Sequence, residues 1–378
     1  MADLLTAYNT NITIPTCIKD PVLKDGVCEF QPPPKEDKPV NYVGGYCVVY
    51  PFKSKNGKKY AVRCWHSVVL DAQKKSELIS KKLKQLNLPY FVEFEYVSEG
   101  IFAENETRPI VRMEWVDAKD FRKFVTENIS NRQRLERLLE NFVEMVKTLH
   151  KHNLSHGDLQ HGNVLVKPDG DLILVDYDTM YIDELKDIPN DIAGLPGFQH
   201  PSRRKDTKPS PKADYFSELI IYITLKAVIE KPEIWTKYNC DKDSPDLIFN
   251  SSDFSDISRS KAYNEICSIS GDMANLVENL KISCQKAHFD ELQPLEEVVG
   301  KLGVETITST VDVSSMMDKI HKGREKNINE KIEQLRNSTS VDLSDTFEKI
   351  KRHKEEITAK QDEKLNELVE KFKKFKEE

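Results

Sequence analysis

Two hydrophobic periods run along this chain, and the change from one to the other divides it. Between Cys47 and Val116 the apolar residues fall in short β-branched and aromatic runs: Cys47–Tyr50, Tyr60–Trp65, Phe91–Val97, Gly100–Ala103 and Ile110–Val116. Runs of this kind, bounded by turn residues, predict strands. Asn56-Gly57 joins the first two through a tight turn, since both residues tolerate positive φ. One stretch in this region has the other period: from Asp71 to Leu86, the residues Ala72, Ile79, Leu83 and Leu86 share a helical face. From Asp117 the helical period takes over, first in Asp120–Thr126. It continues in Arg132–His150, with Leu135, Leu138, Leu139, Phe142, Met145, Val146 and Leu149 on one stripe. Val164–Val166 and the run from Leu172 then flank Pro168-Asp169-Gly170-Asp171, which predicts two strands joined by an Asp-Gly turn. Beyond Ile229 the pattern is mostly helical and polar to about residue 300.

The two ends of the chain differ from its middle. Residues 1–40 carry Pro15, Pro21, Pro32-Pro33-Pro34 and Pro39, which oppose a continuous helix and favour an extended arm lying on the next domain. From Asp345 more than half the residues are charged. A thin stripe of Phe347, Ile350, Ile357, Leu365, Leu368, Phe372 and Phe375 runs through them. Lys354 and Gln361 interrupt a strict heptad, so this is read as a helical tail forming a short coiled coil or hairpin, with self-association possible through it. The resulting division is an arm at 1–40, a strand-rich unit at 41–116, a helical unit at 117–305 and a charged tail at 306–378.

The Asp-Gly hairpin has a chemical consequence. It ties together the polar residues at its two ends, so Asp158, Asn163 and Asp176 should converge. A carboxylate such as Asp158 can take a proton from a hydroxyl nucleophile. Asn163 and Asp176 offer hard oxygen ligands suited to Mg²⁺.

Composition narrows the setting. The net charge of −7 and the lack of a basic block with interleaved aromatics argue against nucleic-acid binding. Seven widely spaced cysteines without a Cys-x-x-Cys pair read as reduced thiols in a cytoplasmic protein. Met1–Thr10 lacks the basic start and apolar core of a signal peptide. The longest apolar stretch, Leu219–Ile229, is broken by Lys226 and too short to span a bilayer, so no membrane role is expected.

His156-Gly157-Asp158-Leu159-Gln160-His161-Gly162-Asn163 and Asp176-Tyr177-Asp178 resemble the His-Arg-Asp-x4-Asn and Asp-Phe-Gly motifs of the protein kinase-like superfamily. Gly157 stands where those kinases carry Arg. Gly194-Leu195-Pro196-Gly197-Phe198-Gln199-His200-Pro201 resembles the end of an activation segment, and Asp214–Leu219 the start of the buried helix that follows. Ala61–Cys64, His156–Asn163, Val175–Asp178 and Phe198–Pro201 are similar to motifs of bacterial eukaryotic-like serine/threonine kinases.

The resemblance covers about residues 40–300. It implies an α+β, bilobal kinase-like fold, with a five-stranded small lobe bearing one helix, a mainly helical large lobe, and the helical tail beyond. It also implies site roles. Asp158 and Asn163 would be catalytic, and Asn163 and Asp176 would hold Mg²⁺. Gly44 and Gly45 would lie in the phosphate-covering hairpin, where Tyr42 and Cys47 replace the family's outer glycines. Arg63 stands where the family places Lys, and Glu77 would be its partner on the helix. Met113 would be the gatekeeper, and the backbones of Glu114 and Val116 would meet adenine. Asp214 would brace the catalytic loop.

Two function classes follow: an ATP- and Mg²⁺-dependent kinase acting on a protein Ser/Thr hydroxyl, or a pseudokinase serving as a nucleotide-binding or scaffold module for a protein partner. With Gly157 in place of Arg, loop phosphorylation is not expected to be required for the active shape.

Overall fold

The computed structural model describes residues 4–69, 71–189, 194–203, 208–300 and 302; the charged tail at 306–378 lies outside the described residues. Its small lobe is a sheet of six strands: β1 (Val27–Cys28), β2 (Tyr42–Val43), β3 (Cys47–Lys53), β4 (Lys59–Trp65), β5 (Phe94–Ala103) and β6 (Glu106–Glu114). The order is β1-β3-β4-β6-β5, with β2 paired to the other part of β3. β5 is one strand where two runs were expected, because a register shift between Val97 and Ile101 interrupts the pattern without ending the pairing. Two short strands are additional to the expected runs: β2, and β1 from the N-terminal segment.

Strand alternation sorts the apolar residues of this sheet between two cores. Cys47, Trp65, Val111 and Met113 face helix α2 (Ala72–Leu86) and the large lobe. Val48, Tyr50, Phe52, Val62, Cys64 and Ile110 face the other way and are covered by Tyr8, Ile12, Ile18 and Leu23. The N-terminal segment is therefore part of the lobe, in contrast to the extended arm expected. It opens with helix α1 (Leu4–Asn11), which forms because the prolines begin only at Pro15. Polar contacts fasten it: Tyr8 Oη donates to the Trp65 carbonyl at 3.1 Å, Asn11 Nδ2 to the Phe102 carbonyl at 2.8 Å, and Arg112 pairs with the buried Asp20.

Tyr8→Ala is expected to destabilise the protein by about 3–5 kcal/mol, the range for emptying a large buried aromatic site. A Val68→Ala control, at a side chain 83% exposed, should stay within about 0.5 kcal/mol. Urea unfolding midpoints measure both.

In the large lobe a small sheet of β7 (Lys119–Asp120), β8 (Val164–Val166) and β9 (Leu172–Leu174) sits beside α3 (Phe121–Glu127) and α4 (Arg132–Lys151). β8 and β9 form the expected hairpin, with Leu165 opposite Ile173. Helix α5 (Tyr215–Glu230) is buried almost all round, which explains its near-continuous apolar sequence. α6 (Ile234–Lys237), α7 (Lys261–Cys267), α8 (Gly271–Gln285) and α9 (Leu295–Val299) complete the lobe.

One buried charge cluster joins α4, α5 and α9. His150, in the last turn of α4, meets Glu218 through Nε2 and Glu296 through Nδ1, each at 2.9 Å. Burial opposes the charge on His150, but the two carboxylates outweigh it and hold its pKa at about 9. A folded-state pKa above the ordinary 6.5 means that its contribution is complete below that pH and disappears as pH rises through about 9. Burial lifts Glu218 to about 7, which adds a fall in the same direction at lower pH. Stability is expected to drop by up to about 3 kcal/mol between pH 6.5 and 9.5, and His150→Gln combined with Glu218→Gln to remove most of that dependence, since His150→Gln alone would leave burial to raise Glu218 further. Denaturant midpoints across this range give the comparison.

Candidate active site

The loop from Leu154 to Asn163 crosses from α4 to β8 under tight backbone control. Asp214, 1% exposed at the head of α5, accepts the amides of His156 and Gly157 through its two carboxylate oxygens, the second at 2.8 Å. His156 is fully buried, and its Nε2 lies 2.8 Å from the Val175 carbonyl. A carbonyl can only accept, so Nε2 carries the proton and Nδ1 is left to accept the Asp158 amide at 3.3 Å.

Asp158 and Asn163 meet directly. Asn163 Nδ2 donates to the Asp158 carbonyl at 2.8 Å and to Asp158 Oδ2 at 3.3 Å. Asp158 Oδ1 accepts the Leu195 amide at 2.9 Å. Gly194 lies so close that a Cβ there would come within 2.7 Å of the same oxygen, and its φ is +79°. The Val175 amide donates to the Asn163 carbonyl at 3.0 Å, which brings Asp176 beside the pair. The hairpin thus gathers the three residues as expected. Asp176 has φ +69°, a left-handed conformation uncommon outside glycine and often found at functional sites.

Tyr177 locks this region to the small lobe. Its hydroxyl donates to the Leu174 carbonyl at 2.7 Å and accepts the Val92 amide at 3.1 Å. Its ring centroid is 5.1 Å from that of Phe94 and 6.4 Å from that of His156. A chain of tilted and edge-on ring contacts therefore runs from β5 through Tyr177 to the loop that carries Asp158.

Arg63 projects from β4 into the same space and uses all three of its nitrogens. Nη2 meets Asp176 Oδ1 at 2.8 Å, Nη1 meets Asp178 Oδ1 at 2.6 Å, and Nε donates to Cys47 Sγ at 2.9 Å. Burial opposes its charge, but Asp176 and Asp178 more than compensate and hold it firmly protonated. The Cys47 thiol, raised by burial, points at Arg63.

Glu77 is not the partner of Arg63. It is exposed and accepts from Gln73 Nε2 at 2.9 Å. The reason is helical phase: Lys75, Ser76, Ile79 and Leu83 are the buried residues of α2, which turns position 77 outward. Asp178 supplies the carboxylate instead. The family has glycine at this position, so its pattern assigns no role there, but the departure is itself a signal, since a buried Arg needs an opposing charge.

Arg63→Lys is expected to weaken nucleotide affinity about tenfold, because one ammonium cannot span Asp176, Asp178 and Cys47 as the planar fork does. Titration with a fluorescent nucleotide would measure this, and an unchanged or tighter affinity would contradict it.

The cleft face of the sheet continues from Arg63. Ala61 lies two residues before it on β4 and pairs with Met113 on β6, while Val49 on β3 pairs with Arg63 itself. Met113 is buried at the back. Val49, Ala61, Val116, Leu165 and Val175 are half-buried apolar side chains packed against the main core. The Val116 amide has no hydrogen bond among the described residues, and its carbonyl accepts from Ala118 at 3.0 Å. Glu114 is tied back by its amide to the Glu93 carbonyl at 3.0 Å. Gly44 and Gly45 form the turn between β2 and β3, closed by the Gly44 amide on the Cys47 carbonyl at 2.8 Å. A Cβ at Gly45 would meet nothing within 4 Å, so the space over this turn is open.

The oxygens left over suit a hard divalent cation. Asn163 uses Nδ2 internally and leaves Oδ1 without a partner among the described residues. Asp176 uses Oδ1 and leaves Oδ2. No group of three or more His, Cys, Asp or Glu is arranged as metal ligands among the described residues. Two side-chain oxygens make part of a coordination shell, as for a Mg²⁺ shared with phosphate oxygens.

A two-lobed fold with a carboxylate-lined cleft between a curled sheet and a helical base is the architecture of a phosphotransferase. The family model of the protein kinase domain matches residues 43–288, well over half of the chain, and the chain belongs to the protein kinase family. That membership carries phosphoryl transfer as the general activity and proteins as the general class of substrate. No curated protein matches the chain. No helix among the described residues is long and apolar enough to cross a membrane.

Proposed function

We propose that this protein transfers the γ-phosphoryl group of ATP to a serine or threonine hydroxyl of a protein, with Mg²⁺. The observation that carries the reading is the joint placement of Asp158, Asn163, Asp176 and Arg63. Asp158 keeps a carboxylate oxygen beside the Leu195 amide, where it can orient an acceptor hydroxyl and take its proton. Asn163 Oδ1 and Asp176 Oδ2 would hold Mg²⁺, which when bound offsets charge on the phosphates. Arg63 would meet the phosphates through the fork that it presents beside Asp176. Gly44 and Gly45 leave room over them, and Met113, Glu114 and Val116 border the adenine slot, with the Val116 amide free to donate.

The acceptor side supports a peptide substrate. Gly194–Phe198 forms a shelf fastened to the catalytic carboxylate itself through the Leu195 amide. Gly197 packs against Asp246, whose Oδ1 a Cβ would meet at 2.1 Å. A shelf this near Asp158 suits a short hydroxyl side chain.

Nucleotide-dependent thermal stabilisation tests the site. ATP should raise the melting temperature with Mg²⁺ present and much less without it, and Asp176→Asn should abolish the metal dependence. Equal stabilisation with and without Mg²⁺ would instead favour a nucleotide-binding scaffold.

A further inference from the structure

Among the described residues, no ion pair joins Arg63 to the helix above it. The α2 residues that face Arg63 are Ala72, Lys75, Ser76 and Ile79, which enclose a space with Tyr177 and Asp178. None of them is a carboxylate. Lys75 would repel a cation, and its Nζ donates to the Pro189 carbonyl at 3.3 Å. Asp178, by contrast, is held by β4 at two points: Arg63 Nη1 on Oδ1 at 2.6 Å, and Trp65 Nε1 on Oδ2 at 3.3 Å.

The two carboxylates around Arg63 also differ in exposure. The Asp176 side chain is 41% exposed and Asp178 11%. The exposed one keeps an open oxygen, while both oxygens of the buried one are engaged by the sheet.

Building on the nucleotide site proposed above, we propose that Asp178 is the positioning residue for Arg63. It does from the metal-bearing loop what a helix carboxylate does elsewhere in the family, so the cation is not released when α2 shifts. Asp178 and Cys47 hold two of the three guanidinium nitrogens, so Nη2, which meets the more exposed Asp176, is the one that would reach a phosphate oxygen. An arginine is required here because one side chain must reach an anchor and a ligand in different directions.

The test uses the full chain and two readouts. Affinity for Mg²⁺–ADP is followed by fluorescence titration. The Arg63 Nε–H signal is followed by nitrogen-15 NMR without nucleotide, where the bond to Cys47 should protect it from exchange. Asp178→Asn should weaken ADP binding about tenfold and remove the protection, as expected for a hydrogen bond to a charged group. Glu77→Ala should alter neither. Adding Ser76→Glu to Asp178→Asn should restore part of the affinity by supplying a helix carboxylate.

Trp65→Phe frees one Asp178 oxygen without touching the ion pair, and serves if Asp178→Asn does not fold. It should weaken ADP binding by about threefold. Unchanged affinity and protection in Asp178→Asn, or a loss in Glu77→Ala as large as in Asp178→Asn, would overturn the proposal. A parent protein that binds no ADP would refute the proposed nucleotide site, while the NMR signal would still decide the role of Asp178.

Discussion

Asp158→Asn is expected to lower kcat by about 10²–10⁴-fold, the range for removing a positioned general base. Nucleotide affinity should stay within about twofold, since Asp158 contacts the Leu195 amide and Asn163 and no residue of the adenine slot. The substitution keeps shape and an acceptor for the Leu195 amide, and removes the ability to take a proton. Its new amide would face Asn163 Nδ2, now 3.3 Å from Asp158 Oδ2, so a small loss of stability is expected as well. Single-turnover phosphate transfer beside nucleotide titration separates the two effects. A loss confined to nucleotide affinity would show that Asp158 is structural.

Gly157→Arg, which restores the residue usual in the family, is expected to disable the protein. Gly157 has φ +79°, and a Cβ there would lie 2.2 Å from the Thr179 carbonyl oxygen. The left-handed backbone costs a residue with a Cβ about 1–3 kcal/mol, and forced overpacking about 1–3 kcal/mol more. Either the loop carrying Asp158 moves or the segment carrying Asp176 does, and both outcomes separate the catalytic residues. Gly157→Ala should show most of the effect, because the clash begins at Cβ. A lower melting temperature with loss of transfer in both variants is the expected result. A stable, active Gly157→Arg would contradict it.

This geometry bears on regulation. The carbonyl of Gly157 accepts from Arg203 Nη2 at 3.2 Å, so a cation from the far end of the activation segment already braces the loop. Thr179 is buried with its hydroxyl on the His156 carbonyl at 3.0 Å, and Tyr181 is buried with its hydroxyl on Asp183 at 3.0 Å. Neither presents itself for modification in this state. Thr179→Ala would disturb the catalytic loop directly, so Tyr181→Phe is the informative substitution.

Particular residues explain what the sequence disclosed. The β8–β9 hairpin was legible because Asp169-Gly170 marks its turn and short apolar runs flank it, and with it came the neighbourhood of Asp158, Asn163 and Asp176. The stripe of α4 and the apolar run of α5 were legible because burial on one side or all round leaves a distinct pattern. The N-terminal cover was not. Tyr8, Ile12, Ile18 and Leu23 have no regular spacing, since they come from a helix, turns and a bridge that meet only on the sheet. Glu77 was misplaced because a family position specifies a residue on the helix but not the helix phase. Asp178 and the Leu195 amide escaped notice because their roles arise from contacts 115 and 37 residues apart in the chain.

The gathered carboxylates, amide and guanidinium are proposed to perform phosphoryl transfer to protein. The most direct measurement follows radiolabelled γ-phosphate from ATP into a mixture of protein substrates, with and without Mg²⁺, followed by phosphoamino-acid analysis. Mg²⁺-dependent phosphoserine or phosphothreonine is expected from the wild type. Nucleotide binding without any transfer from the wild type would contradict it and leave the protein a nucleotide-binding scaffold.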